Sequence, residues 1–309
     1  MKAIMYHYVS PKDENFPGLY RLDFENFKRQ LDFFEKEYGF IEKKDFIKSV
    51  INGKTCKGVV LTFDDGLRCH YDYVYKELTR RNLWGIFYIP TLPFTRSKIL
   101  DVHRIHILIS KVESKKIYNY LDDEKIYNLF DNNKLHEFEK YTYLKQKDNE
   151  YTLIIKRILN YFISYEHREY VIDKLFKKFI DKKINTDIFY LSIDNLIEMK
   201  NNGMIIGNHS VSHKVLSKLS YEEQQIEIKS SFNFLESKLG PLDFKTFCFP
   251  YGGFLSFNED TEKILLLEKF NCAFNVESRD INEIDLKIKV LKLPRYDCNE
   301  FKFGETSKN

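Results

Sequence analysis

The run Val59-Val60-Leu61-Thr62-Phe63 contains no charged residue and no alternation of apolar with polar positions. A strand of that kind is buried on both faces, the condition met by parallel sheets flanked by helices. Its neighbours agree. Residues 24–38, FENFKRQLDFFEKEY, place Phe24, Phe27, Leu31 and Phe34 at helical spacing and predict an amphipathic helix. AIMYHYV (3–9) predicts a short strand ending near His7, and GIFYIP (85–90) another closed by a proline. Between them, after Gly66, a helix is expected through YDYVYKELTRRN. Strand, helix, strand in this order is the signature of a parallel α/β sheet or barrel.

From about 100 to 185 the character changes. Glycine disappears, and Lys, Glu, Tyr, Leu and Ile recur at helical periods, as in YTLIIKRILNYFISYEHREYVIDKLFKKFI. This predicts a helical insertion of roughly eighty residues, half a typical domain, that packs on the α/β part as a cap rather than folding alone. The α/β rhythm then resumes. Ser192 is placed to cap a helix that Gly203 stops, MIIGNH (204–209) reads as a strand, and Ser220 with Glu223 forms a capping box ahead of a helix running to Gly240. TFCFPYGG (246–253), CAFNV (272–276) and KVLKLPRY (289–296) complete the expected strands. The 309 residues are read as one domain with this insertion.

Composition narrows the class. Hydrophobic content of 43% and charged content of 31% exclude a disordered chain. A net charge of +3, with both signs interleaved, leaves no basic stripe for nucleic acid. Five cysteines with no C-x-x-C pair argue against a disulfide framework and for a reducing compartment. The stretch MKAIMYHYVSPKDENF is too polar for a signal peptide, and no run has the length to span a bilayer. The expected location is cytoplasmic.

The apolar run 59–63 stops at two adjacent carboxylates, Asp64 and Asp65, followed by Gly66. Further on, His209-Ser-Val-Ser-His213 sets two imidazoles four residues apart, a spacing that on a helical turn presents both to one ion. Each motif alone reads by default as a turn or a packed pair. Both, however, sit at the carboxyl ends of predicted strands, which in parallel α/β folds share one mouth. Two histidines and one carboxylate suffice for a catalytic zinc site with a position left for water, and the other aspartate is then available as a general base.

TFDDG, then H-S-x-x-H, then F-P-Y-G resemble the polysaccharide deacetylases of the NodB-homology type, carbohydrate esterase family four. The resemblance covers residues 1–99 and 190–300. It implies a distorted (β/α) barrel of about seven strands and metal-dependent hydrolysis of the acetamide of an N-acetylated sugar. Residue by residue it implies Asp64 as the base that activates a metal-bound water, and Asp65, His209 and His213 as metal ligands. Pro250 and Tyr251 fall in the segment whose tyrosine backbone N–H holds the oxyanion. Zinc is the expected ion, with cobalt, nickel or manganese as substitutes.

Two departures stand out. Cys248 occupies the place of the family's third-motif arginine, and no histidine follows His213 to supply the usual late general acid. Met5-Tyr6-His7 has the form of that missing motif at the opposite end of the chain, as in the permuted exopolysaccharide deacetylases, so His7 is the expected acid. Arg295, in LPRYD, either replaces the lost arginine by steering Asp64 or forms an ordinary salt bridge. His70 is a second-choice acid, His103 and His106 are read as packing or exposed residues, His136 and His167 as surface positions, and Trp84 as core. The competing functions are a glycan-binding protein without turnover and an O-acetyl esterase. The expected partner is an N-acetylated sugar or oligosaccharide, a small or activated precursor in preference to a wall polymer.

Overall fold

In the computed structural model, which describes residues 1–12, 16, 18–131, 133–144, 146, 148–180 and 184–308, the apolar runs become the strands of one parallel sheet. Among the described residues these are β1 (Lys2–Tyr6), β2 (Val59–Phe63), β3 (Ile86–Ile89), β4 (Ile205–Asn208), β5 (Thr246–Cys248), β6 (Cys272–Phe274) and β7 (Tyr296–Asp297). Their order is β6-β5-β4-β3-β2-β1-β7, and every neighbouring pair is parallel. All five residues of β2 are buried, as the absence of alternation requires.

The two edges nearly meet. Leu293 donates its N–H to Ala273 O at 2.7 Å and accepts from Asn275 N–H at 2.9 Å, while Tyr296 and Asp297 pair with Ile4 and Met5 of β1. One short segment therefore touches β6 and β1 in turn and curls the sheet into a distorted seven-stranded barrel. The expected strand 289–296 is broken here. Residues Val290–Lys292 form a 3₁₀ turn and pairing is confined to Leu293 and β7, because Pro294 between them has no N–H to give a ladder.

The surrounding helices follow local chemistry. Asp23 accepts the N–H groups of Glu25 and Asn26 and starts the helix Phe24–Glu37, whose Phe27, Leu31 and Phe34 are buried at the predicted spacing. Ser192–Asn195 and Ser220–Glu223 form capping boxes at the helices Ile193–Asn201 and Tyr221–Leu239. Ala3, Val60, Ile86, Tyr88, Cys248 and Phe274 meet in the barrel core, and Trp84 packs on it with its indole N–H on Ile41 O at 2.7 Å. The helix expected after Gly66 is not uniformly α. It opens as a π-helical turn, His70–Tyr75, and becomes α only over Lys76–Arg80. The wider turn carries a buried histidine that the site uses.

The chain divides into two compact units. One comprises Met1–Lys12, Tyr20–Lys98 and Asn185–Ser307, and the other is built chiefly from Ile99–Ile184. The second is helical, with α-helices Asp101–Lys111, Ser114–Asp123, Leu135–Tyr141, Glu150–Arg157 and Tyr165–Phe179. Its own interior holds Ile105, Leu108, Ile117, Leu121, Ile155, Leu159, Ile172 and Leu175, with an Arg104–Asp173 ion pair beside them. Among the described residues no helix is long and apolar enough to cross a membrane.

Candidate metal centre and its neighbouring carboxylate

The carboxyl ends of β1, β2, β4 and β5 deliver the predicted side chains to one rim. Asp65 Oδ1 lies 3.4 Å from His209 Nε2 and 3.4 Å from His213 Nε2. Two donors each about 2.1 Å from one tetrahedral ion are about 3.4 Å apart, so the spacing fits a single small cation. All three side chains are buried, which costs free energy unless a cation or each other's charge offsets it.

A helical turn was the expected carrier of the histidine pair, and the structure corrects this. His209 directly follows β4, and His213 stands in a loop with φ of 56°. The two rings come within 4.8 Å, centroid to centroid, because the loop doubles back and not because of helical periodicity. Its pins are Ser210 N–H on Asn208 Oδ1 (2.8 Å), His213 N–H on Ser210 Oγ (3.0 Å), and the N–H groups of Val211 and Ser212 on Glu227 Oε2 (2.9 and 2.8 Å). Asp65 (φ 82°), Ser210 (64°), His213 and Tyr251 (64°) all adopt the left-handed region. Such residues cost of order 1–3 kcal/mol each and persist where the surroundings over-determine them, commonly at functional sites.

His209 donates its Nδ1–H to the Cys248 carbonyl at 2.7 Å. A carbonyl only accepts, so this bond fixes the tautomer and turns the Nε2 lone pair toward Asp65. Asp64, His209 and Cys248 form a second donor group of similar compactness. It is the weaker candidate. Burial pushes the Cys248 thiol above its ordinary pKa, so it is not a thiolate, and Asp64 is already engaged.

That engagement answers the question Cys248 raises. Arg295 is fully buried and clamps Asp64 with two bonds of 2.8 Å, one to each carboxylate oxygen. Its remaining donors reach Thr62 Oγ1 (3.0 Å), Asn275 O (3.1 Å) and Cys248 Sγ (2.9 Å). The Cys248 thiol in turn lies 3.4 Å from Asp64 Oδ2. Burial by itself would raise the Asp64 pKa, but the Arg295 charge and its hydrogen bonds, with His209 and His7 adding, outweigh it and bring the carboxyl down to about 2. The two adjacent acids are thereby separated in role. Asp64 is held ionised by an arginine, and Asp65 faces two imidazoles.

His7 follows β1, is partly exposed, and places Nε2 4.0 Å from Asp65 Oδ2. Pro250 is buried at the end of β5, and the Tyr251 ring packs edge-on against His213 with centroids 5.0 Å apart. His70 is not an acid. It is buried, burial lowers its pKa to about 4, and its neutral Nε2–H donates to the His7 carbonyl at 2.7 Å. It positions the backbone of His7. A histidine whose folded pKa lies below its unfolded 6.5 contributes stability that is present above 6.5 and lost as pH falls toward 4, here roughly 3 kcal/mol. Melting curves of His70→Gln should therefore be flatter than wild type between pH 6.5 and 4; an unchanged slope would assign the acid sensitivity elsewhere.

The remaining histidines belong to the helical unit. His103 is buried, His106 and His167 are partly exposed and His136 is exposed. Sequence reasoning missed Glu227, Asn208 and Thr62. Glu227 lies on the buried face of its helix with Gln224 and Ser231, and polar residues at inward positions of an otherwise apolar stripe were the available signal.

The carboxyl rim of the curled parallel barrel thus gathers a metal-type donor set and a separately clamped carboxylate. The model of the polysaccharide deacetylase family matches residues 114–267, a span that includes His209, His213, Pro250 and Tyr251. Over that span, just under half of the chain, the sequence resembles the polysaccharide deacetylase family. Among solved structures it is similar to the deacetylase PplD of Streptococcus pyogenes, at TM-score 0.58 and 16% identity over 96% of this chain and 91% of that one. It is also similar to a de-N-acetylase from Aggregatibacter actinomycetemcomitans (0.53, 14%, 96% and 93%) and to the deacetylase domain of BpsB from Bordetella bronchiseptica (0.53, 12%, 96% and 95%). At these identities the likenesses show the fold. No curated protein matches the sequence.

Proposed function

We propose that this chain is a divalent-metal-dependent N-deacetylase of amino-sugar glycans, one deacetylase domain interrupted by a helical insertion. The observation that carries the reading is the pair of 3.4 Å separations joining Asp65 to His209 and His213, next to a second carboxylate that no ion needs. Zinc suits that donor set, with cobalt, nickel or manganese as alternatives. A bound divalent ion supplies Lewis acidity and a water of lowered pKa.

The chain's own groups do the rest. Asp64, kept anionic by Arg295, accepts the proton of the attacking water. Its low pKa makes it a base by position and permanent charge rather than by intrinsic strength. The backbone N–H of Tyr251 is the donor for the oxyanion of the acetyl carbonyl, a contribution of about 3 kcal/mol by analogy with other oxyanion holes. His7, held by His70, gives a proton to the departing amine. The deacetylases and the de-N-acetylase of similar fold support acetyl removal from nitrogen as the reaction. Five free cysteines support a reducing, cytoplasmic setting.

The test compares bonds. Zinc-loaded protein should release acetate from N-acetylglucosamine oligomers, and His7→Ala should lower that rate about 10²–10⁴-fold. The same variant should lose far less on an activated acetate ester, whose leaving group needs no proton. Equal losses on both would remove His7 from the acid role, and activity on esters alone would make the protein an esterase.

A further inference from the structure

The loop that carries the two histidines is held along both edges of its backbone, and different parts of the fold do the holding. On the carbonyl side, Ser210 O accepts from Thr91 N–H (3.2 Å) and from the Ser231 hydroxyl (2.8 Å), and Val211 O accepts from Leu92 N–H (2.8 Å). On the amide side, the N–H groups of Val211 and Ser212 both converge on Oε2 of Glu227, and the Ser212 hydroxyl donates to its Oε1. We propose that Glu227 is a positioning residue for the histidine loop. Its carboxylate sets the path by which the chain returns from His209 to His213, and does so before any ion arrives. The identity of the ion rests on the proposed deacetylase reading; the grip on the loop does not.

Glu227 is 8% exposed, and among the described residues no lysine, arginine or histidine is in ion-pair contact with it. A buried carboxylate costs free energy unless donors offset it, and here all three donors come from residues 211 and 212. Two successive N–H groups converging on one anion form a nest, the device by which backbones hold phosphate. In this protein the anion is supplied by its own helix.

Val211 and Ser212 are partly exposed, so water would satisfy their N–H groups in the absence of the carboxylate. What water does not supply is an anchor. Glu227 belongs to the helix Tyr221–Leu239, whose Ile228 O accepts from Asn208 Nδ2 at 2.8 Å and whose Ser231, one turn on, holds Ser210 O. One buried helix face therefore grips residues 208, 210, 211 and 212 in turn.

The backbone shows why a grip is needed. Ser210 and His213 carry φ of 64° and 56°, conformations that residues other than glycine seldom adopt. A loop released from its pins relaxes out of them, and His213 Nε2 then leaves its place 3.4 Å from Asp65 Oδ1. Removing a group that orients a metal ligand typically costs about 10–100-fold in metal affinity.

The experiment measures the zinc Kd of the full chain by competition with a chromophoric chelator. Glu227→Ala should bind zinc at least about tenfold more weakly than wild type. Glu227→Gln should stay within about threefold, because its carbonyl oxygen accepts the same two N–H groups and its NH2 donates to the Ser212 hydroxyl once that hydroxyl turns. Ser220→Ala removes the N-cap of the same helix without touching the loop, and should leave the Kd unchanged. That pattern supports the positioning role. Glu227→Ala within about threefold of wild type overturns it, as does a loss in Ser220→Ala or in Glu227→Gln equal to that in Glu227→Ala. If Glu227→Ala does not fold, Glu227→Asp, whose carboxylate stops one methylene short, takes its place with the same expected loss. If wild type binds no zinc, the metal-dependent reading fails, and amide hydrogen exchange of residues 209–213 in the metal-free chain decides instead. Exchange at least about tenfold faster in Glu227→Ala than in wild type, and not in Ser220→Ala, then supports the positioning role. Equal exchange overturns it.

Discussion

Asp65→Asn is expected to lose bound metal and acetate release together, with the rate falling at least about 10³-fold, whereas Asp64→Asn should keep the metal and lose turnover by about 10²–10⁴-fold. The contrast follows from geometry. Asp65 Oδ1 is the one carboxylate oxygen 3.4 Å from both imidazole nitrogens, so its replacement by a neutral amide removes the anionic member of the donor set. Asp64 points instead into the Arg295 clamp. Metal content by elemental analysis, measured beside acetate release on the same preparations, reads both outcomes. An Asp65→Asn protein that retained a full equivalent of zinc would displace Asp65 from the ligand role. An Asp64→Asn protein of near-normal rate would displace Asp64 from the base role.

Arg295→Met should be the most damaging single change away from the donor set. It leaves the Asp64 carboxylate buried without its partner, a defect of about 3–5 kcal/mol, or roughly 10 °C in melting temperature for a domain of this size. Burial would then be opposed only by His209 and His7 and would drive the Asp64 pKa upward from about 2. The pair's contribution to stability is present above the ordinary carboxylate range and is lost only as pH falls toward 2, so wild type should tolerate mild acid while the variant should not. Arg295→Lys keeps the charge but not the two-pronged fit and should fall between them. Thermal melts from pH 7 to 4 test this, and an Arg295→Met protein with wild-type stability throughout would overturn the account.

Much of the rim was legible because its signals are local. Val59–Phe63 ending at Asp64 and Asp65 joins a strand pattern to a polar stop within eight residues, the cap at Ser192 is a single residue, and the capping box at Ser220 is read within four. The Arg295–Asp64 pair was offered only as one of two readings, since 231 residues separate its members and nothing nearby marks the arginine as buried. Glu227 was illegible for a related reason. In linear order it is one of many glutamates on an exposed-looking helix, and only the fold turns it toward Val211 and Ser212. The histidine loop misled because a four-residue spacing suits a helix and a doubled-back turn equally well. The last strand misled because its apolar content outweighed, on paper, the single missing donor at Pro294.

The closeness of Cys248 Sγ to Arg295 Nη2, 2.9 Å in a fully buried setting, has an evolutionary corollary. A side chain much larger than cysteine at position 248 would meet the Arg295 guanidinium in that buried space. Cys248→Arg alone would crowd two cations into that space, while loss of Arg295 alone would leave none. Substitutions at these sites are thus conditional on each other, and a lineage moving the arginine from one position to the other must pass through a protein with too many or too few, unless both codons change together.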